Sequence, residues 1–138
     1  MRFVDTNVLL YAVSRAPEEE GKAAVARELL RRRDLALSVQ VLQEFYVQAT
    51  RQTRADRLRH DQAVRLVESF CRYPVQELTV AVVHAAFVTR ARWGLSYWDA
   101  AILEAARSSG CEVVLSEDLA DRQDYGGVRA ENPFRDAG

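Results

Sequence analysis

The stretch MRFVDTNVLL, residues 1–10, changes character at its fifth position. Arg2-Phe3-Val4 reads as a short strand. Asp5, Thr6 and Asn7 follow at once. Val8, Leu9 and Leu10 then restore apolarity, and the run from Thr6 to Val13 reads as a helix. A strand that passes directly into a helix is the first half of a βαβ unit. A carboxylate at that junction stands at the carboxyl end of a strand, the edge where open parallel sheets bind ligands.

The same alternation recurs downstream. Pro17-Glu18-Glu19-Glu20 has the proline and acids of a helix N-terminus, and that helix is expected to reach Arg31-Arg32-Arg33. Leu35-Ala36-Leu37-Ser38 is a second strand, and Ser38 can cap a helix carrying the stripe Leu42, Phe45, Ala49. Asp56 is expected to cap a further helix through Cys71. Val75 to Leu78 is a third strand, entered by Pro74. Thr79 opens a helix to Trp93, stopped by Gly94, and Ser96 to Ser109 is helical, stopped by Gly110. Glu112 to Leu115 is a strand with a buried composition. Gly126-Gly127 is a turn before a last edge strand, Val128-Arg129-Ala130. Strands alternating with helices predict an α/β fold, a parallel sheet covered on both faces.

With 138 residues, 49% of them hydrophobic, the chain can bury a sizeable core and is expected to form one domain, residues 1–138. A net charge of −1 removes bulk basicity as a reason to propose a nucleic-acid partner. Lys22 is the only lysine among the basic residues. Cys71 and Cys111 form no CxxC and read as reduced core thiols. No stretch has the pattern of a signal peptide or the length of a membrane span, so a soluble cytoplasmic protein with no membrane partner is expected.

Asp5 is not alone. Glu112-Val113-Val114-Leu115-Ser116 is followed closely by Asp118, so two strand ends at opposite extremes of the sequence each deliver an acid to the same sheet edge. Neighbouring strands are about 4.8 Å apart, which lets them meet in one site. Asp99, in LSYWDAAILEAA, has the Ser-x-x-Asp spacing of a helix cap, and a first-turn carboxylate there is also near the edge. Glu44 flanks the apolar stripe of its helix; taken alone, it is expected to meet a basic partner or solvent. Converging carboxylates repel and coexist cheaply only around a cation or with some of them protonated. An all-oxygen set suits Mg²⁺ or Mn²⁺, which can activate water for phosphodiester hydrolysis.

Other chemistries fit less well. His60 and His84 sit in different helices without zinc-ligand spacing. Neither GxGxxG nor GxxxxGK[ST] occurs. A receiver domain needs a lysine near the sheet edge, and Lys22 falls on an early, exposed-looking helix. A haloacid-type phosphatase needs Asp-x-Asp after its first strand, where this chain has Asn7. The arginines of RQTRADRLRHDQAVR are either a solvated face laced by Asp56 and Asp61 or a phosphate-contacting rim.

Taken together, FVDTNVLLYA, VLQEFY, LSYWDAAILEAA and VVLSEDL resemble, in order, four motifs of the PIN-domain ribonucleases, in particular the VapC-like toxins of bacterial toxin–antitoxin pairs. The tail YGGVRAENPF resembles one subgroup of them. The resemblance implies an α/β/α sandwich with a short central parallel sheet, Mg²⁺ or Mn²⁺, and endonucleolytic cleavage of RNA. It implies Asp5, Glu44, Asp99 and Asp118 as the catalytic acids. Asp5 and Asp99 would hold the main metal, and Glu44 and Asp118 would complete the acidic pocket or hold a second ion through water, Asp118 counting among the metal ligands. Thr6, Asn7 and Ser116 would position carboxylates or water. The fourth motif uses Ser116-Glu117-Asp118 where Thr-x-Asp is commoner, and Asp121 follows nearby; Asp118 is the expected acid. A cognate small antitoxin protein and a homodimer are the implied partners. A non-catalytic RNA-binding or assembly module of the same fold is the alternative.

Overall fold

The computed structural model describes residues 1–137. The elements follow the alternation closely: β1 (Arg2–Val4), α1 (Thr6–Val13), α2 (Glu20–Leu29), β2 (Leu35–Ser38), α3 (Val39–Ala49), α4 (His60–Phe70), β3 (Val75–Gln76), α5 (Val80–Trp93), α6 (Tyr97–Ser108), β4 (Val113–Leu115) and β5 (Arg129–Glu131). A 3₁₀ turn, Pro17–Glu19, leads into α2. The strands form one parallel sheet in the order β3-β2-β1-β4-β5.

All four residues of β2 are buried. Successive strand side chains point to opposite faces, so both faces of the sheet are covered. Across β2, β3 and β4 lies α6, with α5 against it, while α1 packs on α2 and α3. Helix α6 is rich in alanine, and the fully or nearly fully buried Ala100, Ala101, Ala105 and Ala106 allow this close approach. Phe3, Val4, Leu35, Leu37, Val114 and Leu115 supply the sheet's part of the core.

Beyond β1 the chain continues outward to β2 and β3. On β1's other side stand β4 and β5, entered from α6 and from a helix-free connection. The order therefore reverses between β1 and β4, which opens a crevice beyond their carboxyl ends. Asp5 extends the ladder by one bond, its N–H donating to Leu115 O at 3.1 Å.

Four expectations need correction. Helix α2 ends at Leu29, short of the arginine triplet, because Asp34 O must accept from Arg2 N to start β2 in register. Asp56 does not cap α4, which starts at His60; its carboxylate accepts instead from Arg15 N and pairs with Arg54. The third strand is only Val75–Gln76. Cys71 is exposed, and only Cys111 is a core thiol.

Candidate active site

One cleft at the crevice is lined by Asp5, Thr6, Asn7, Leu10, Gln40, Glu44, Gln48, Trp98, Asp99, Ile102 and Asp118. Its volume is about 80 Å³, room for a hydrated ion rather than a large organic molecule. Four elements deliver its acids: the end of β1, the middle of α3, the first turn of α6 and the segment after β4.

Asp5 is the deepest, at 6% exposed. It is at once the last extended residue of the strand and the N-cap of α1, its Oδ1 accepting from Thr6 N at 2.7 Å. Its Oδ2 accepts from Ser116 Oγ at 2.7 Å. Ser116 Oγ in turn accepts from Asn7 Nδ2 at 3.1 Å and from Asp118 N at 3.0 Å. Asn7 Nδ2 also donates to Asp118 Oδ2 at 3.1 Å. Thr6, Asn7 and Ser116 thus lock two carboxylates from the sequence extremes into one network.

Asp99 is held by the N-cap of α6, where Ser96 Oγ accepts from Asp99 N at 3.1 Å. The carboxylate itself lines the cleft, so the residue that completes the cap motif also serves the site. Glu44 has no basic partner in the cleft lining. It is half-buried, and its Oε1 accepts from Gln40 Nε2 at 2.9 Å. That same nitrogen donates to Trp98 O at 3.3 Å, tying α3 to the start of α6. Asp121 is turned away, bound to Asn132 N and to Arg135, whereas Asp118 faces the cleft.

Burial raises the Asp5 carboxyl from 3.8 to about 7, against hydrogen bonds from Ser116 and Thr6 that lower it; Asp118 and Glu44 add repulsion. Glu44 is likewise raised by burial, then by Asp99 and Asp118, with Gln40 opposing. Burial also raises Asp99, and Asp118 adds to it. No Lys, Arg or His lines the cleft. The charge is therefore unbalanced by the protein itself.

Those residues fit a hard divalent cation. Every donor lining the cleft is an oxygen or an amide, and the buried Thr6 Oγ1 stands beside Glu44. Among the described residues no group of three or more His, Cys, Asp or Glu is gathered as a ready cage. Mg²⁺ keeps most of its waters and needs few protein carboxylates.

Sequence reading missed two supports. Gln40, one helical turn before Glu44, was legible only as an i,i+4 neighbour. Lys22 lies nearer the site than its helix suggested: Nζ donates to Glu117 Oε2 at 3.0 Å, and Tyr11 OH donates to Glu117 Oε1. This trio fastens the residue before Asp118. The arginine stretch proves largely self-paired, Arg54 with Asp56, and Arg59 and Arg65 with Asp61. Among the described residues no helix is long and apolar enough to cross a membrane.

Comparison with known proteins agrees with this geometry. The chain is similar in structure to a toxin–antitoxin complex from Klebsiella pneumoniae, with TM-score 0.70 and 18% identity over 97% of this chain and 98% of that one. DNA-bound VapBC from Salmonella typhimurium gives TM-score 0.66 and 21% identity, covering 96% and 97%. A VapC toxin from Mycobacterium tuberculosis, described as cleaving the sarcin–ricin loop, gives 0.66 and 17%, covering 86% and 92%. No curated protein sequence matches the chain. At these identities the likeness shows the fold. The model of the PIN domain matches residues 2–122, and the chain belongs to the PIN domain family.

Proposed function

We propose that this chain is a Mg²⁺- or Mn²⁺-dependent endoribonuclease and the toxin of a toxin–antitoxin pair. The observation that carries the reading is the meeting of Asp5, Glu44, Asp99 and Asp118 in one cleft whose lining holds no cationic side chain. Asp5, Asp99 and Asp118 are the residues that would hold the ion. When bound, it supplies a water activated near neutral pH and stabilises charge developing on the phosphate. Glu44 accepts the proton of the attacking water, a task suited to a carboxylate raised by burial. Gln40 keeps Glu44 in place, and Asn7 and Ser116 hold Asp5 and Asp118 at fixed separation. RNA as substrate and a small antitoxin as partner are supported by family membership and by the toxins that share the fold.

The test is cleavage of a short RNA with Mg²⁺ by the wild type and by Asp5→Asn and Asp99→Asn. We expect both variants to fold and to lose cleavage by at least about 100-fold, the scale for removing a group that orders charge at the reacting phosphate. Full activity in both variants would remove these residues from the mechanism. A wild type that binds RNA without cutting it would favour a non-catalytic module.

A further inference from the structure

Trp98 immediately precedes Asp99, lines the acidic cleft and is 64% exposed. An indole left in water costs free energy, since its large apolar surface is unburied. The Trp98 backbone carbonyl accepts from the Gln40 amide that also holds Glu44, so the main chain at Trp98 and the carboxylate share one anchor. Tyr97 meets the Trp98 ring in an edge contact, with centroids 5.1 Å apart and planes at 79°, and most of the indole stays in solvent.

The cleft also has an electrostatic gap. A polyanion approaching four carboxylates meets no Lys or Arg in the lining. Of the arginines between residues 51 and 65, Arg54, Arg59 and Arg65 are engaged by Asp56 and Asp61, while Arg51 and Arg57 are exposed outside the lining. Within the lining itself, grip on a flanking nucleotide can come only from uncharged contacts. Stacking of a base on an aromatic face is such a contact, and it is available only where the base is unpaired.

We propose that Trp98 is a stacking platform for an unpaired nucleobase of single-stranded RNA, beside the phosphate that the carboxylates address. This deepens the nuclease reading and rests on it. The contact it adds is to one base splayed out of the stack next to the cut.

The experiment compares wild type, Trp98→Ala and Trp98→Phe on a short single-stranded RNA and on the same RNA made abasic, one position at a time. Trp98→Ala should raise KM about 10-fold or more, with kcat little changed. Trp98→Phe should restore most of the loss. One abasic position should cost the wild type a similar factor and cost Trp98→Ala nothing further, because the two changes remove the same contact. Equal abasic losses in both proteins would overturn the proposal. So would a loss in Trp98→Ala that accompanies a change in molecular mass in solution, which would make the ring a contact between copies of the chain. If the wild type cuts no RNA at all, the nuclease reading falls separately. Stacking is then decided by fluorescence of Trp98 in a Trp93→Phe background: quenching by the oligonucleotide supports it, and an unchanged spectrum overturns it.

Discussion

Burial sets the behaviour of Asp5 more than any neighbouring group does, and the consequence has a definite sign. Its carboxyl titrates near 3.8 unfolded and about 7 folded, so between those values the folded state binds more protons. Stability of the metal-free protein should therefore fall as pH rises from about 4 to 7. Asp5→Asn should flatten that slope and stabilise the metal-free fold above pH 7 by an amount on the order of 2–4 kcal/mol. Added Mg²⁺ should raise the wild-type melting temperature at pH 8 and much less at pH 5.5, where the proton competes for Asp5, and should barely move Asp5→Asn. Thermal unfolding across pH, with and without Mg²⁺, checks all three; a stability that climbs from pH 4 to 7 would contradict the buried-acid account. Asp5, Asp99 and Asp118 were legible because each sits at a strand end or helix start that the sequence marks. Glu44 was named only by its motif's resemblance, since a glutamate on a helix flank otherwise reads as a surface residue until the packing shows that Gln40 is its partner. Asp118 was chosen over Asp121 from the motif, and the turn after β4, which brings Asn132 and Arg135 to Asp121, leaves Asp118 lining the cleft.

Element α6 joins fold and site most directly, because its cap and its acid are the same motif. Ser96→Ala removes the acceptor for Asp99 N and should cost about 1 kcal/mol of stability. It should also lower cleavage more than that loss of stability explains, by freeing the first turn that aims Asp99; the denaturant midpoint and kcat measured on one preparation separate the two effects. At the other end of α6, Arg107 donates to Glu104, Gly126 O and Tyr125 O, fastening the helix-free connection to β5. Glu104 is buried, with Thr89 as its other partner. Arg107→Met should therefore destabilise by about 2–4 kcal/mol, the cost of leaving a buried carboxylate short of its cation; a loss under about 0.5 kcal/mol would mean the pair is no more than a surface one. Most element boundaries were legible, since caps and glycines mark them. Gly94 and Gly110 take left-handed φ of 67° and 75° where the helices stop. The errors at Arg31–Arg33 and Asp56 share one cause: local signals for a longer helix lost to distant partners, Arg2 for Asp34 and Arg15 for Asp56.

At the scale of the whole molecule, the strand order turns separate acids into one site. Periodicity predicted a parallel sheet but not that β4 would stand beside β1, because pairing between residues 2–4 and 113–115 leaves no local mark. The same arrangement leaves the cleft open: Asp118 and Trp98 are exposed, and Val80, Phe87 and Val88 add exposed apolar surface on α5. A protein that silences such a site has two kinds of contact to use. An apolar segment can cover α5 and the Tyr97–Trp98 corner, and a basic side chain entering the cleft can take the place of the metal among the four acids. Silencing and metal binding should then be mutually exclusive. Expression of this chain alone should arrest growth; Asp5→Asn should abolish the arrest without lowering the amount of protein, and co-expression of the adjacent small open reading frame should relieve it. In purified form, the partner should shift the Mg²⁺ dependence of cleavage to higher concentration, as competition for one site requires. A partner that blocks cleavage equally at every Mg²⁺ concentration would be acting away from the cleft. A chain that is harmless at high expression and cuts no RNA would not be a toxin.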